Sequence, residues 1–480
     1  MRRCERQAGL KVISLTLAEL AAAVGGTLRL ASGSHDFDEV SGSVQTDSRL
    51  VTPGSLFIAL PGEVSDGHLF AQAAIDNGAA LLLVDHELEL ELAVSQIVVS
   101  DTLTALADLA RFVVATVRTA GALKVIGITG SNGKTTTKNM LRAVLETAGA
   151  TIAPPGSFNN RVGAPLSMLS VDLDTRFLVV EMGASAIGEI ARTVGIAIPD
   201  ISVVLKVGLA HAGEFGGIEQ TQRAKSEIVT RLPADAVAVL NVDDERVAAM
   251  ASLTKARPVW FGLDASADVR GDDLRATASG TAFTLIEGDI HRPVRLRILG
   301  EHHVMNALAT LAVARELGVD LDTAITALES VPRAERWRME LLTRSDGIIV
   351  INDAYNASPD SMSAALKTLA QIIEPGQRSI AVLGEMTELG ELSDEEHDRI
   401  GRLVVRLNIQ KLIVVGHGAR HIHNAAGLEG SWDGESMLVA TADEAYEQLR
   451  ADLRAGDIVL VKSSKSANLR FLGDRLGEVT

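Results

Sequence analysis

The sequence predicts an α/β protein of three domains, and three observations predict it. Strand patterns alternate with helical ones along the whole chain. The strands of the middle and C-terminal thirds are near-continuous apolar runs, which imply parallel sheets covered on both faces. A length of 480 residues with 47% hydrophobic content suffices for several sizeable cores.

The first expected element is a helix in which Thr16 and Glu19 form a capping box, Leu15 and Leu20 a hydrophobic staple, and Gly25-Gly26 the end. Met1-Arg2-Arg3 followed by an apolar run superficially resembles a signal peptide, but Glu19 interrupts the run, and the helix is the better reading. Short strands are expected at 54–60 and 80–84, with helices between them. Beside them stand two polar clusters, Thr46-Asp47-Ser48-Arg49 and Asp66-Gly67-His68, readable as turn chemistry or as ligand contacts. A connecting helix follows at 102–117.

The chemistry centres on Thr129-Gly130-Ser131-Asn132-Gly133-Lys134-Thr135-Thr136, set between the apolar run Val125-Ile126-Gly127-Ile128 and a helical pattern of Met140, Leu141, Val144 and Leu145. Strand, glycine loop and helix together suit a polyphosphate. Gly130 and Gly133 let backbone N–H groups converge, and the helix N-terminus adds partial positive charge. Lys134 is placed to reach the β- and γ-phosphates, and the Thr135 hydroxyl to offer Mg2+ an oxygen, so the expected ligand is a nucleoside triphosphate. The strict G-x-x-x-x-G-K-T pattern is not met, because Ile128 occupies its first glycine position. A glycine turn without a ligand is therefore the alternative reading.

Further strands are expected at 176–181, 201–205 and 236–240, and ligands of such sheets lie beyond the carboxyl ends of the strands. Glu181 ends the first, beside the phosphate-loop strand, where a carboxylate suits a second Mg2+ contact; a helix-capping or surface role is the alternative. Asn159-Asn160-Arg161-Val162-Gly163-Ala164-Pro165 is a loop of donors suited to sugar, phosphate or carboxylate, or simply a polar turn. His211 lies in a glycine-rich loop and Lys225 opens a helix expected at 224–232; each has a structural reading beside a functional one. From 265 to 299 the pattern shortens and becomes more polar, an antiparallel extension, and 300–306 opens another helix. Val331-Pro332-Arg333 marks a boundary. A second α/β run has strands at 347–351, 379–383, 412–415 and 457–461, ending in Asn352-Asp353, Gly384-Glu385 and Lys462-Ser463-Ser464-Lys465. The domains expected are 1–104, 105–331 and 332–480.

Composition excludes several classes of partner. A net charge of −17 with 3% aromatic residues leaves neither a basic footprint nor stacking platforms for nucleic acid. No apolar stretch is long enough for membrane insertion. Cys4 is the only cysteine, so no intrachain disulfide can form, as expected for the cytoplasm. The expected partners are small molecules whose phosphates or carboxylates are held by local Lys and Arg, and the expected form is a monomer.

The order of the motifs is unusual: T-G-S-N-G-K-T-T, F-N-N-R-V-G-A-P, E-M-G-A-S, glycine-flanked His211 then A-K-S-E-I, G-E-H-H-V-M-N-A-L, D-A-Y-N-A-S-P-D-S-M and L-G-E-M-T-E-L-G. From about Leu15 to the C-terminal helix the chain resembles a Mur ligase. The resemblance implies a uridine-nucleotide domain, a central ATPase domain and a C-terminal Rossmann-like domain that closes over the nucleotide. It also implies an ATP-dependent ligase joining D-alanyl-D-alanine to UDP-N-acetylmuramoyl-tripeptide through an acyl phosphate, in peptidoglycan precursor synthesis. By the same resemblance, the Thr129 to Thr136 loop binds ATP, with Asn306 near adenine and Arg338 and Asp353 at phosphate and ribose. Lys134 and Thr135 bind phosphate and Mg2+, Glu181 is an Mg2+ ligand, and His211 forms a second metal site with Lys225, which matches a lysine the family carbamylates. Ser48 and Arg49 match the uridine-nucleotide pocket, and Asn159 and Asn160 match contacts to the muramoyl part. Three positions depart from the pattern: His303 stands for Asn, Ser463 for Gly and Lys465 for Arg. A sibling that adds a diamino acid one step earlier carries D-N-P-R, which is absent here. Folylpolyglutamate synthase is a more distant rival, and a regulator without ligase activity need not keep Glu181, His211 and Lys225 together.

Overall fold

The computed structural model describes residues 13–62, 65–90, 94–154, 156, 159–209, 216–277, 279–331, 336–430 and 432–478. Their strands form four sheets, of two, five, nine and six strands. The chain begins as its sequence dictates: Thr16 Oγ1 accepts the Glu19 N–H at 3.2 Å, Glu19 Oε2 accepts the Thr16 N–H at 2.8 Å, and the helix Leu17–Ala23 ends before Gly25, whose φ is 61°. The five-stranded sheet runs 27–29, 95–98, 79–84, 55–58, 44–45, with only its 27–29 edge antiparallel.

The helix Thr102–Ala120 joins this unit to the central one. Asp101 caps it by accepting the Leu103 and Thr104 N–H groups, and its buried stripe of Leu106, Leu109, Ala110, Val113 and Val117 shares one core with Leu17 and Ile97 on one side and Val125 and Leu178 on the other. Each fully buried Val or Leu in that core is worth roughly 1.5–3 kcal/mol over an exposed one. The stripe therefore fastens the two units together.

The nine-stranded sheet is ordered 290–296, 280–287, 269–277, 257–262, 237–241, 201–204, 124–129, 177–181, 151–152. It is parallel from 151–152 as far as 269–277, and the last three strands pair antiparallel, as the shorter, more polar pattern requires. The strand Lys124–Thr129 alternates its burial between two cores: Val125 faces the 102–120 helix side, while Ile126 and Ile128 face Met140, Leu141 and Leu308. After this strand the chain pairs first on one side, at 177–181, and then on the other, at 201–204. Such a reversal opens a crevice at the carboxyl ends of the strands, and the glycine loop emerges there.

The C-terminal sheet runs 340–343, 349–352, 457–462, 378–383, 411–415, 435–439, parallel except at the 340–343 edge. One expectation needs correction at the element level. Lys225 does not open its helix, which runs Ile218–Thr230 from Gly217, with Lys225 on its buried face beside Thr221, Ala224 and Ile228. Gly217 has φ 124°, a value L side chains rarely adopt, and this is what sets the start. Among the described residues no helix is long and apolar enough to cross a membrane.

Candidate active site

The loop 130–133 turns on glycines at φ 156° and 87°, and the helix Lys134–Leu145 starts directly behind it. Gly133 is obligatory for packing as well as conformation: a Cβ there would collide with the Asn306 side chain. The loop is tied to the next strand, because the Ser131 N–H donates to the Lys206 carbonyl at 2.9 Å and Ser131 Oγ accepts the Gly208 N–H at 2.8 Å. Lys134 folds back over the loop and donates to the Gly130 carbonyl at 2.6 Å. Desolvation lowers its pKa, Glu181 opposes the shift and Arg338 adds to it.

Glu181 ends the strand Phe177–Glu181, in register with Ile128, and is buried. Its Oε2 accepts the Thr135 hydroxyl at 3.2 Å, so the two predicted oxygen donors lie together at the loop. Hard divalent cations take such oxygens, and this pair fits Mg2+. Lys225 is 2% exposed, and burial together with the Lys134 charge lowers its pKa to about 7. His211, the expected partner of Lys225, lies outside the described residues.

A cleft of about 710 Å³ opens beside these groups, and both Lys134 and Lys225 line it. Asn159, Asn160, Arg161, Arg111 and Arg192 also line it, with Asp108 paired to Arg111 and Glu189 to Arg161. Gly183 permits the close approach of Asn159, while Asn160 Oδ1 accepts the Val162 and Gly163 N–H groups at 3.2 and 2.7 Å and starts the helix Gly163–Met168. Asn160 thus makes a polar turn that gives way to helix at Gly163, so the loop expected as far as Pro165 is shorter, and Asn160 also lines the cleft. The arginines were not singled out from the sequence individually; only the basic residue inside the Asn-Asn-Arg run pointed to one of them.

Asn306, expected near adenine, is buried and donates from Nδ2 to His303 Nδ1 at 3.1 Å. Burial, with His302 and Arg338 nearby, holds His303 well below the ordinary imidazole pKa. The departure at 303 therefore places a neutral acceptor against Asn306. Arg338 stacks over the Tyr355 ring at 4.0 Å and is close enough to depress the Lys134 and His303 pKa values. Asp353 accepts the Met339 N–H at 2.9 Å and Lys462 Nζ at 2.6 Å. Lys462 is itself buried and also donates to the Asn356 carbonyl at 3.0 Å. The sequence marked Lys462 only as part of a strand-end cluster. Ser463 is fully buried, whereas Lys465 is exposed.

The C-terminal unit reaches the loop through Ser358, the N-cap of the helix Pro359–Ile372, whose Oγ donates to Asn132 Oδ1 at 3.4 Å. Asp360 accepts the Leu209 N–H at 3.3 Å and pairs with Lys206 at 3.2 Å. Ser48 and Arg49 are not brought to this cleft. They form a short turn after Asp47, whose carboxylate accepts the Arg49 guanidinium at 2.7 Å, and Ser48 is buried while Arg49 is exposed.

The chain matches the Mur ligase family, catalytic domain, over residues 42–126, the Mur ligase middle domain over 128–314 and the Mur ligase, glutamate ligase domain over 337–465. It is 43% identical to the UDP-N-acetylmuramoyl-tripeptide--D-alanyl-D-alanine ligase of Mycobacterium tuberculosis, covering 97% of this chain and 98% of that one. The Escherichia coli ligase of the same name is 34% identical, covering 95% and 97%. In structure the chain is similar to MurF from Acinetobacter baumannii, with TM-score 0.87, 30% identity and 97% and 99% coverage. It is also similar to MurF ligase from Thermotoga maritima in complex with ADP, with TM-score 0.79, 28% identity and 91% and 97% coverage.

Proposed function

The chain belongs to the Mur ligase family, and from that premise we infer that it joins D-alanyl-D-alanine to UDP-N-acetylmuramoyl-tripeptide. It is an ATP-dependent ligase forming a C–N bond, and its product is the pentapeptide precursor of peptidoglycan, with ADP and phosphate. The observation that supports this reading is that Lys134 and Lys225 line one cleft together with the asparagine and arginine donors Asn159, Asn160, Arg111, Arg161 and Arg192, while Glu181 lies just behind it against Thr135 and close enough to influence Lys134. Phosphoryl-transfer groups at one end and carboxylate- or sugar-binding groups at the other are what activation of a peptide carboxylate requires.

An amide does not form from a carboxylate and an amine in water without activation. Transfer of the γ-phosphoryl group to the terminal carboxylate of the tripeptide gives an acyl phosphate, and attack by the dipeptide amine then expels phosphate. The loop N–H groups and Lys134 hold the polyphosphate and offset charge developing on the transferred group. Thr135 and Glu181 would hold Mg2+, which would supply positive charge to offset that of the phosphates. We assign Lys225, carbamylated, with His211 to a second metal position. A carbamate needs a neutral amine to form, and the lowered pKa of Lys225 supplies one. Asn159 and Asn160 orient the muramoyl end, Ser48 and Arg49 the uridine nucleotide, and Asn306, Arg338 and Asp353 the ATP. Docking of the C-terminal unit excludes water from the acyl phosphate.

We further propose that uridine-nucleotide binding falls to residues 1–104, ATP binding to 105–331 and acceptor binding to 332–480, in a monomer working in the cytoplasm. The mechanism is tested with a tripeptide substrate carrying 18O in its reacting carboxylate. Passage through an acyl phosphate delivers one 18O atom to the released inorganic phosphate; unlabelled phosphate at full turnover refutes it.

A further inference from the structure

Lys138 stands one helical turn beyond Lys134, and its side chain is only 3% exposed. A buried ammonium is costly unless it is paired and hydrogen-bonded. Its Nζ lies 2.8 Å from Oε1 of Glu181 and donates to the carbonyl of Gly156. The two oxygens of Glu181 are thereby divided: Oε1 faces Lys138, and Oε2 faces the Thr135 hydroxyl at 3.2 Å. Gly156 belongs to the segment that leads into Asn159 and Asn160 on the cleft wall. One ammonium thus touches both the carboxylate beside the glycine loop and Gly156, three residues before Asn159 in the chain.

We propose that Lys138 is a positioning residue for the ligase reaction, fixing Glu181 so that Oε2 is presented to the phosphate-bound Mg2+ and holding the Gly156 carbonyl at the same time. The proposal rests on the reading of Glu181 as a metal ligand. The sign of its effect separates it from simple electrostatics. A cation that merely sat near Glu181 would repel a divalent ion, and its removal would tighten metal binding. A residue that aims the carboxylate weakens metal binding when it is removed, as partners that orient ligands generally do.

The test uses the full chain with Lys138→Met, Glu181→Gln and the double variant. Mn2+ binding to the ADP complex is measured by electron paramagnetic resonance, alongside the Mg2+ half-saturation of turnover and KM for the UDP-linked substrate. Lys138→Met is expected to weaken Mn2+ binding and raise the Mg2+ half-saturation by about 10- to 100-fold. It should raise KM for the UDP-linked substrate and leave metal-free ADP affinity unchanged. In the Glu181→Gln background it should add nothing to the loss of metal affinity. Unchanged or tighter Mn2+ binding in Lys138→Met, or a full effect in the Glu181→Gln background, overturns the proposal. If Glu181→Gln alone binds Mn2+ like wild type, the metal-ligand reading fails first and the proposal falls with it, an outcome separate from failure of the Lys138 arm. Should Lys138→Met not fold, Lys138→Arg keeps the charge but misplaces it and is expected to lose Mn2+ affinity in the same direction; wild-type affinity in that variant overturns the proposal.

Discussion

Burial makes Lys225 a different chemical group from a surface lysine. An amine with the ordinary pKa of 10.5 is neutral in only about 0.03% of molecules at pH 7, whereas one at about 7 is neutral in about half. The ammonium is the disfavoured form, so the neutral amine that attacks carbon dioxide grows as pH rises through about 7 and vanishes below it. Enzyme stripped of carbon dioxide should therefore lose activity and regain it at fixed dissolved CO2, with the initial rate of regain rising through a midpoint near 7; a midpoint above 9 would show an ordinary lysine. Lys225→Ala should lose roughly 10- to 100-fold in activity, with partial rescue by acetate, and Lys225→Arg should be equally impaired because guanidinium cannot take up CO2. Lys134→Ala should cost on the order of 10²- to 10³-fold in kcat, read from steady-state ADP release; near wild-type turnover in a folded variant would remove Lys134 from the phosphate site. At this scale the sequence was most legible where a motif forces the backbone, as at Gly133 and Lys134. It was least legible where a residue works through a distant partner. Lys138 shares a helix stripe with Leu141 and Leu145, and a lysine on an apolar stripe was a visible sign. Its partners Glu181 and Gly156 come from other elements, and no local spacing announces them.

Between elements, the helix Pro359–Ile372 does for the C-terminal unit what the helix Thr102–Ala120 does for the N-terminal one. The latter is fastened by an apolar stripe, the former by polar contacts at its N-terminus together with an apolar patch in which Leu299 and Ala276 of the central unit join Met362, Leu366 and Leu369. Gly208 lets Asp360 come close, since a Cβ there would strike the carboxylate. A hydrogen bond to a charged group is worth about 1.5–3 kcal/mol and a half-exposed ion pair under about 1 kcal/mol. Asp360→Ala should therefore shift the balance between docked and undocked forms by roughly 10- to 150-fold. Small-angle X-ray scattering should show the variant larger than wild type with nucleotide and UDP-linked substrate bound, and kcat should fall; identical scattering and turnover would show that this contact does not hold the units together. The long parallel strands were readable because both their faces are apolar. The 340–343 and 435–439 edge strands were missed because an edge is covered on one side only and its burial pattern is mixed. The helix Ile218–Thr230 was begun six residues late because its first turns carry Glu219, Gln220 and Gln222, which look like loop when the following Lys225 is not recognised as buried.

For the molecule as a whole, a net charge of −17 means that anionic substrates are attracted only by local fields, and in the cleft Lys134 and three arginines supply one beside the acidic Asp101, Asp108 and Glu189. Fold class and the order of the sheets followed from the alternation of patterns, and the phosphate end of the site followed from one loop. The proposed substrate end was less legible, because Arg111, Arg192 and Asn159, which line one cleft, come from three separate segments that only the fold brings together. The segment Asp353 to Met362, which in the folded chain stands against the phosphate loop through Ser358, carries the expectation of a dipeptide acceptor. The most direct test is ADP release by the full chain with a panel of UDP-muramoyl peptides crossed against amino-acid and dipeptide acceptors. Release that requires both UDP-N-acetylmuramoyl-tripeptide and D-alanyl-D-alanine, and yields the pentapeptide by mass, is the predicted result; turnover of UDP-N-acetylmuramoyl-dipeptide with a free diamino acid would contradict it.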